Sequence, residues 1–184
     1  KQSLELTEKY LSGIDGKKDR EYPALEEYGK ERVNLRTKKT EQSHLVIGVP
    51  GVSSQHEKHF AHKLLSIILG GNMSSRMFLN IREAKGMCYY IDTDTDSYMD
   101  AGALSTRAGI DQSRLDEAIK LIINEYDKVV QDGVEDEEVS RAKSYLKGSI
   151  ILSLEDSEEL AHFYGKQQLM YPKVRDLEEY MKEI

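Results

Sequence analysis

The spacing of apolar residues switches between two periods along this chain, and the order of the switches limits the fold more than any other feature. Val33, Leu35 and Thr37 alternate with Arg32, Asn34 and Arg36, the two-residue period of a half-buried strand. Residues 45–49 read as a second strand, closed by Pro50 and Gly51. From Ser54 the period lengthens. Phe60, Leu64, Ile67 and Ile68 fall on one helical face, and Gly70-Gly71, free to take positive φ, stops that helix. A second helix starts around Ser74, which is placed to cap it and leaves Arg76 free on the first turn. It buries Met77, Phe78 and Ile81 and ends at Gly86. Two strands follow over 87–95 and 98–106, joined by a tight turn near Asp96-Ser97. Beyond Gly109 the chain is helical. Leu115, Ala118, Ile119, Ile122, Tyr126 and Val129 form one apolar stripe ended by Gly133, and Val139, Ala142, Leu146 and Ile150 form the next. Two further helices are predicted near 157–169 and 174–184. Strands, helices, strands and then helices again predict an α+β domain, a mainly antiparallel sheet with helices packed on one face.

The start of the chain is different in kind. A short helix over 3–11, with Leu4, Leu6, Tyr10 and Leu11 apolar, ends at Gly13 and Gly16, and the polar stretch 16–27 with Pro23 has the composition of a linker. Residues 1–28 are therefore expected to be the end of a preceding domain and its tether, and 29–184 the α+β domain, stopping before a last strand. No signal peptide is read at the start; the first residue is not Met and the first residues read as mid-domain helix, so a fragment is expected.

Composition narrows the partners. A net charge of −7 leaves no concentration of Lys and Arg for a phosphate backbone, so nucleic acid is not expected to bind. The acidic balance suits basic peptides and equally suits plain solubility. The single cysteine, Cys88, excludes an internal disulfide and a cysteine-based zinc cluster, and fits a reducing, cytoplasmic setting. The longest apolar run, 64–69, contains Ser66 and is far too short to span a bilayer, so no membrane partner is expected.

The most informative segment is Leu69-Gly70-Gly71-Asn72-Met73-Ser74-Ser75-Arg76-Met77-Phe78, followed by Ile81-Arg82-Glu83-Ala84-Lys85-Gly86-Met87-Cys88-Tyr89. A glycine turn, Met-Ser-Ser-Arg, an apolar pair and then Arg-x-x-(basic)-Gly-x-x-Tyr resemble the signature of pitrilysin and mitochondrial-processing-peptidase family domains. Thr40-Glu41-Gln42-Ser43-His44-Leu45 and Gly48-Val49-Pro50-Gly51 resemble the family's second half, and the order of elements agrees from about Gly29 to Ile184. The resemblance implies the C-terminal, non-zinc half of a zinc metalloendopeptidase of the inverzincin type. Zinc would be bound by an N-terminal half or a partner chain, not by this one, so this chain alone would not hydrolyse peptides. The implied partners are that half or subunit, in a homodimer or heterodimer, and an unfolded peptide or presequence substrate. The resemblance also assigns catalytic and substrate-binding roles to Arg82 and Tyr89, which would project into a chamber, contact the substrate backbone and help stabilise the tetrahedral intermediate. The chemistry is sensible: a guanidinium can clamp carbonyls, and a phenol aimed at a developing oxyanion contributes about 3 kcal/mol. The plainer alternative is a dipole-matched arginine at a helix end and a packing tyrosine. By strand alternation Tyr90 points to the face opposite Tyr89 and serves as the structural control. A second reading keeps the fold and drops the chemistry, as a non-catalytic scaffold or partner subunit of a processing-peptidase-like complex.

Other fragments offer less. The family's His-x-x-Glu-His zinc motif is absent; His56-Glu57-Lys58-His59-Phe60-Ala61-His62 has the residue types without the spacing, and His59 and His62 are expected on a solvated helix face. Gly13-Ile14-Asp15-Gly16-Lys17-Lys18 is a broken phosphate-binding loop without its Ser or Thr. Asp92, Asp94 and Asp96 lack the glycine and glutamate of a calcium loop and read as one exposed strand face. Cys88 has no identifiable His partner and reads as a buried structural thiol. His44 and His162 are expected at the edge of the core.

Overall fold

The structure, a computed structural model, describes residues 2–14 and 42–184. The chain divides into two compact units, 1–37 and 38–184. The strand expected at 33–37, the linker at 16–27 and the Thr40-Glu41 part of the motif lie outside the described residues. In the first unit, helix α1 (Gln2–Leu11) forms where expected, with Leu4, Leu6, Tyr10 and Leu11 all exposed.

The described part of the second unit is an α+β arrangement. Strand β1 (Ser43–Gly51) leads to helix α2 (His59–Leu69), a π-helical turn (Phe78–Glu83) and strands β2 (Cys88–Ser97) and β3 (Gly102–Ile110). Helices α3 (Leu115–Asp132), α4 (Asp136–Ser153), α5 (Ser157–Met170) and α6 (Leu177–Glu183) follow. The sheet is antiparallel throughout, in the order β1-β3-β2. Register sets one inward row: Ile47 and Thr93 both pair with Thr106, and Leu45 and Ile91 both pair with Ala108. That face packs on the apolar stripe of α3, where Ala118 and Ile122 are fully buried and Leu115, Tyr126 and Val129 flank them. A fully buried Ile such as Ile122 contributes about 1.5–3 kcal/mol by leaving water. Thr93 and Thr106 are buried without cost to their hydroxyls: the two Oγ1 atoms share a hydrogen bond of 2.8 Å, and Thr106 Oγ1 meets Tyr126 Oη at 2.8 Å.

Helix α2 serves two layers. Leu69 and Leu65 enter the sheet core, while Leu64, Ile67 and Ile68 meet Ala142 and Leu146 of α4, with Tyr180, Met181 and Ile184 at the end of the chain. Local signals start the later helices. Glu135 and Glu138 form a reciprocal capping box on α4, Asp156 accepts from Glu158 N and Glu159 N on α5, and Asp176 accepts from Glu179 N on α6.

Two expectations are corrected here. The hairpin turn lies over 98–101, closed by Tyr98 N to Ala101 O at 2.8 Å, so Asp96 and Ser97 belong to β2 and pair with Ala103 and Gly102. Asp96, which reads as a turn former, stays in the strand with Arg107 at 3.7 Å, and Asp94, expected in the strand, is held there by Lys63 at 2.6 Å. Nor does Gly70-Gly71 use positive φ, which among the described residues occurs only at Gly86 and Gly133. Gly70 is required by close approach instead, since a Cβ there would lie 2.3 Å from Thr93 Oγ1.

Candidate functional site

The segment between α2 and β2 is built by local hydrogen bonding and held by the helices behind it. Asn72, not Ser74, opens it. The Asn72 side chain accepts from Ser74 N at 2.8 Å, and its carbonyl accepts from Ser75 Oγ at 2.6 Å and Ser75 N at 3.2 Å. Arg76 is not free, as expected from sequence, but engaged. Its Nε and Nη2 donate to the two carboxylate oxygens of Glu138 at 2.7 and 2.5 Å, and Nη2 also donates to Gly133 O at 3.2 Å. The planar guanidinium fork matches the carboxylate, so it pins the segment to the start of α4.

Arg82 occupies the last turn of the π-helical stretch and is exposed, its Cζ 4.8 Å from the centre of the Phe78 ring. A cation is favoured at this end of a helix, and the ring face holds it without using its N–H donors. The helix then stops. Gly86 adopts φ +56°, a left-handed conformation that a side chain would strain, and its N–H donates to Arg82 O at 3.0 Å. A wider bond from Met87 N to Ile81 O, 3.1 Å, closes around it, and both of those side chains are buried.

Tyr89 follows at once, in a β-bulge. Cys88 pairs with Ile110 and Tyr90 with Gly109, so Tyr89 is the extra residue and has no partner of its own on β3. The simple alternation that set Tyr89 opposite Tyr90 does not hold across this bulge. The two tyrosines, both exposed, differ in their contacts. Tyr90 is structural: its hydroxyl meets His44 Nδ1 at 3.0 Å, and its ring lies over Gly109, where a Cβ would come within 2.4 Å. Tyr89 is 60% exposed. No hydrogen bond or ion pair to a described residue occupies the Arg82 guanidinium or the Tyr89 phenol.

Between them lies a contact that the sequence gives no sign of. Arg114, just before α3, donates from Nη1 to Gly86 O at 3.0 Å and from Nη2 to Lys85 O at 3.3 Å. Only a through-space contact across the 28 residues from Gly86 reveals it, and no local pattern could. Cys88 is half-buried, and burial pushes its thiol pKa up despite the opposing pull of Arg82, which suits a structural thiol.

The histidines depart from expectation. His44 and His162 are exposed rather than at the core edge. His59 and His62 are half-buried rather than solvated, and the Nδ1 atom of each is buried without a hydrogen-bond partner among the described residues. Desolvation lowers both pKa values; His62, Lys63, Lys166 and Arg175 add repulsion at His59, and Lys63 does so at His62. Such surroundings repel a metal ion. Among the described residues no group of three or more His, Cys, Asp or Glu is placed to hold one, so these residues do not fit zinc. His59 instead lines an aromatic cleft of about 390 Å³ with Phe60, Phe163 and Tyr180, and neither Arg82 nor Tyr89 borders it. No helix among the described residues is long and apolar enough to cross a membrane.

This geometry can be set against known proteins. Residues 1–146 match the family model described as the peptidase M16 inactive domain. The chain belongs to this family. Its likeness to the non-zinc half of the pitrilysin and processing peptidases is thereby borne out. An uncharacterized zinc protease of Streptomyces coelicolor is 35% identical over 153 residues, covering 83% of this chain and 33% of the relative. One of Bacillus subtilis is 34% identical over 149 residues, covering 81% and 36%. The M16 chain thus spans about a third of the length of these relatives. A protease structure from Helicobacter pylori superimposes with a TM-score of 0.78 at 18% identity, covering 99% of this chain and 45% of that one, which shows a shared fold.

Proposed function

We propose that this M16 inactive domain is the substrate-binding half of a zinc-dependent endopeptidase acting on unfolded peptides or presequences. Zinc and its ligands belong, in this reading, to an N-terminal half or partner subunit. The zinc-protease names of the relatives support a peptidase for the whole protein.

The observation that carries the reading is the pair of uncommitted donors flanking one bend. Arg82 and Tyr89 are exposed, without hydrogen-bonding or ionic partners among the described residues, and separated by the glycine bend and the bulge. Arg82 holds a peptide carbonyl through its guanidinium. Tyr89 donates its O–H to the carbonyl oxygen under attack, and that bond strengthens as charge develops on the oxygen. Recognition through the backbone makes substrate side chains secondary.

Tyr89→Phe in the full-length protein tests this. It should lower kcat by about 100-fold, the cost of removing one oxyanion donor. KM, zinc content and thermal stability should stay close to wild type. Tyr90→Phe is the control and should keep its activity. A Tyr89→Phe enzyme with wild-type turnover removes the oxyanion role and leaves the scaffold reading.

A further inference from the structure

We propose that Arg114 is a positioning residue that fixes Arg82 and Tyr89 relative to each other, an inference that rests on the roles just proposed for that pair. The two side chains lie on opposite sides of a bend whose geometry is not set by packing alone. The bend contains a glycine at φ +56° that a Cβ would find in open space, with nothing within 4 Å. Its neighbour on the far side, Tyr89, is the unpaired residue of a bulge. Glycine confers freedom here, and a bulge leaves the ladder locally unpinned. The Gly86 and Met87 N–H bonds to Arg82 O and Ile81 O hold the amide side of this bend, so something must also fix its carbonyls.

Arg114 does so by geometry. Its two terminal nitrogens reach two consecutive carbonyls, Gly86 O at 3.0 Å and Lys85 O at 3.3 Å. These carbonyls stand at the end of a helix, where the oxygens lack intrahelical donors and the dipole favours a cation. A fork that grips both fixes the two successive peptide planes on either side of the Gly86 Cα relative to each other, which one bond could not do. Arg114 is itself anchored. Its N–H donates to Asp111 O at 3.0 Å, and Asp111 Oδ1 accepts from Ser113 N at 2.8 Å and Ser113 Oγ at 2.6 Å. The next residue, Leu115, packs against the sheet core at the start of α3. The start of α3 thus holds the bend, and the bend carries Arg82 and Tyr89.

Arg114 is only half-buried, so its replacement should spare the fold. In the full-length protein, Arg114→Ala should lower kcat/KM on a fluorogenic unfolded peptide about tenfold, as expected for misplaced binding groups. Arg114→Lys, which keeps the charge and loses the fork, should remain low. Thermal stability should stay near wild type in both, and hydrogen exchange should quicken at the amides of Met87, Cys88 and Tyr89. A double-mutant cycle supplies the decisive readout. In a Tyr89→Phe background, Arg114→Ala should cost clearly less than the loss it causes in wild type, because one of the two groups it positions has gone; an equal loss in both backgrounds overturns positioning in favour of a structural role. If Arg82→Ala and Tyr89→Phe reduce turnover while Arg114→Ala does not, the positioning inference alone falls. If neither Arg82→Ala nor Tyr89→Phe reduces turnover, the reading of the pair falls and takes this one with it.

Discussion

Tyr89 and Tyr90 are adjacent and chemically identical, yet one is bonded to His44 over a glycine and the other is 60% exposed in a bulge. The motif spacing singled out Tyr89, but only the strand register shows why its surroundings differ. Bulges arise from pairing, and pairing is not written in one strand. The histidines show the same limit. His59 and His62 looked solvated because helical periodicity places them opposite Phe60 and Leu64, yet α2 is covered on more than one side. Their half-buried nitrogens, without hydrogen-bond partners at Nδ1 among the described residues, carry a pH prediction. Both folded pKa values lie below the ordinary 6.5, first through desolvation and then through nearby cations. Above about 6.5 both states hold neutral imidazoles and there is no penalty. As pH falls below that value the unfolded chain takes up protons first, so stability declines until the folded pKa values are passed. Urea titrations between pH 7.5 and about 5 should show this slope. His59→Gln should flatten it, and an unchanged slope would assign the pH response to other groups.

Elements were more legible than their junctions. Strand β1 and helices α2 to α5 fall where the two periods placed them, because each buries a face with few local exceptions. The β2–β3 turn lies closer to the C-terminus than expected because Asp96 and Ser97 pair with Ala103 and Gly102, with Arg107 3.7 Å from Asp96, and such pairing is not written in one strand. The π-helical turn was read as an ordinary helix, and Arg76 as a free surface group. That arginine instead joins this turn to the first turn of α4 by two bonds to Glu138, whose carboxylate also accepts from Glu135 N at 2.9 Å. One carboxylate therefore serves as both clamp and cap. Removing its charge leaves a largely buried guanidinium with a weaker partner, so Glu138→Gln should cost about 1.5–3 kcal/mol, the range for hydrogen bonds to charged groups. The midpoint of urea unfolding measures it. A loss below about 0.5 kcal/mol, the ordinary size of a surface effect, would show that the clamp does not stabilise the fold.

At the scale of the whole molecule the question is where catalysis resides. A sheet covered on one face by helices explains how the described part of the domain holds itself together. Arg82 and Tyr89 have the opposite character, two exposed donors at a helix end and a bulge, with no hydrogen bond or ion pair to a described residue, Arg82 resting only on the Phe78 ring. Such groups contribute to rate only when a substrate carbonyl lies between them and a nucleophile supplied from elsewhere. The proposed division of labour therefore makes a measurable statement about assembly. Residues 1–184 purified alone should carry no stoichiometric zinc by elemental analysis and should not cleave an unfolded peptide. Mixed with the metal-binding part of the full-length protein they should restore cleavage that neither shows alone, and the restored activity should saturate as this chain is titrated in. With Tyr89→Phe in the added chain, saturation should occur at the same concentration but at a far lower plateau, because assembly and transition-state stabilisation use different residues. A purified chain that holds one zinc and hydrolyses peptide unaided would place the chemistry inside this domain and overturn the division.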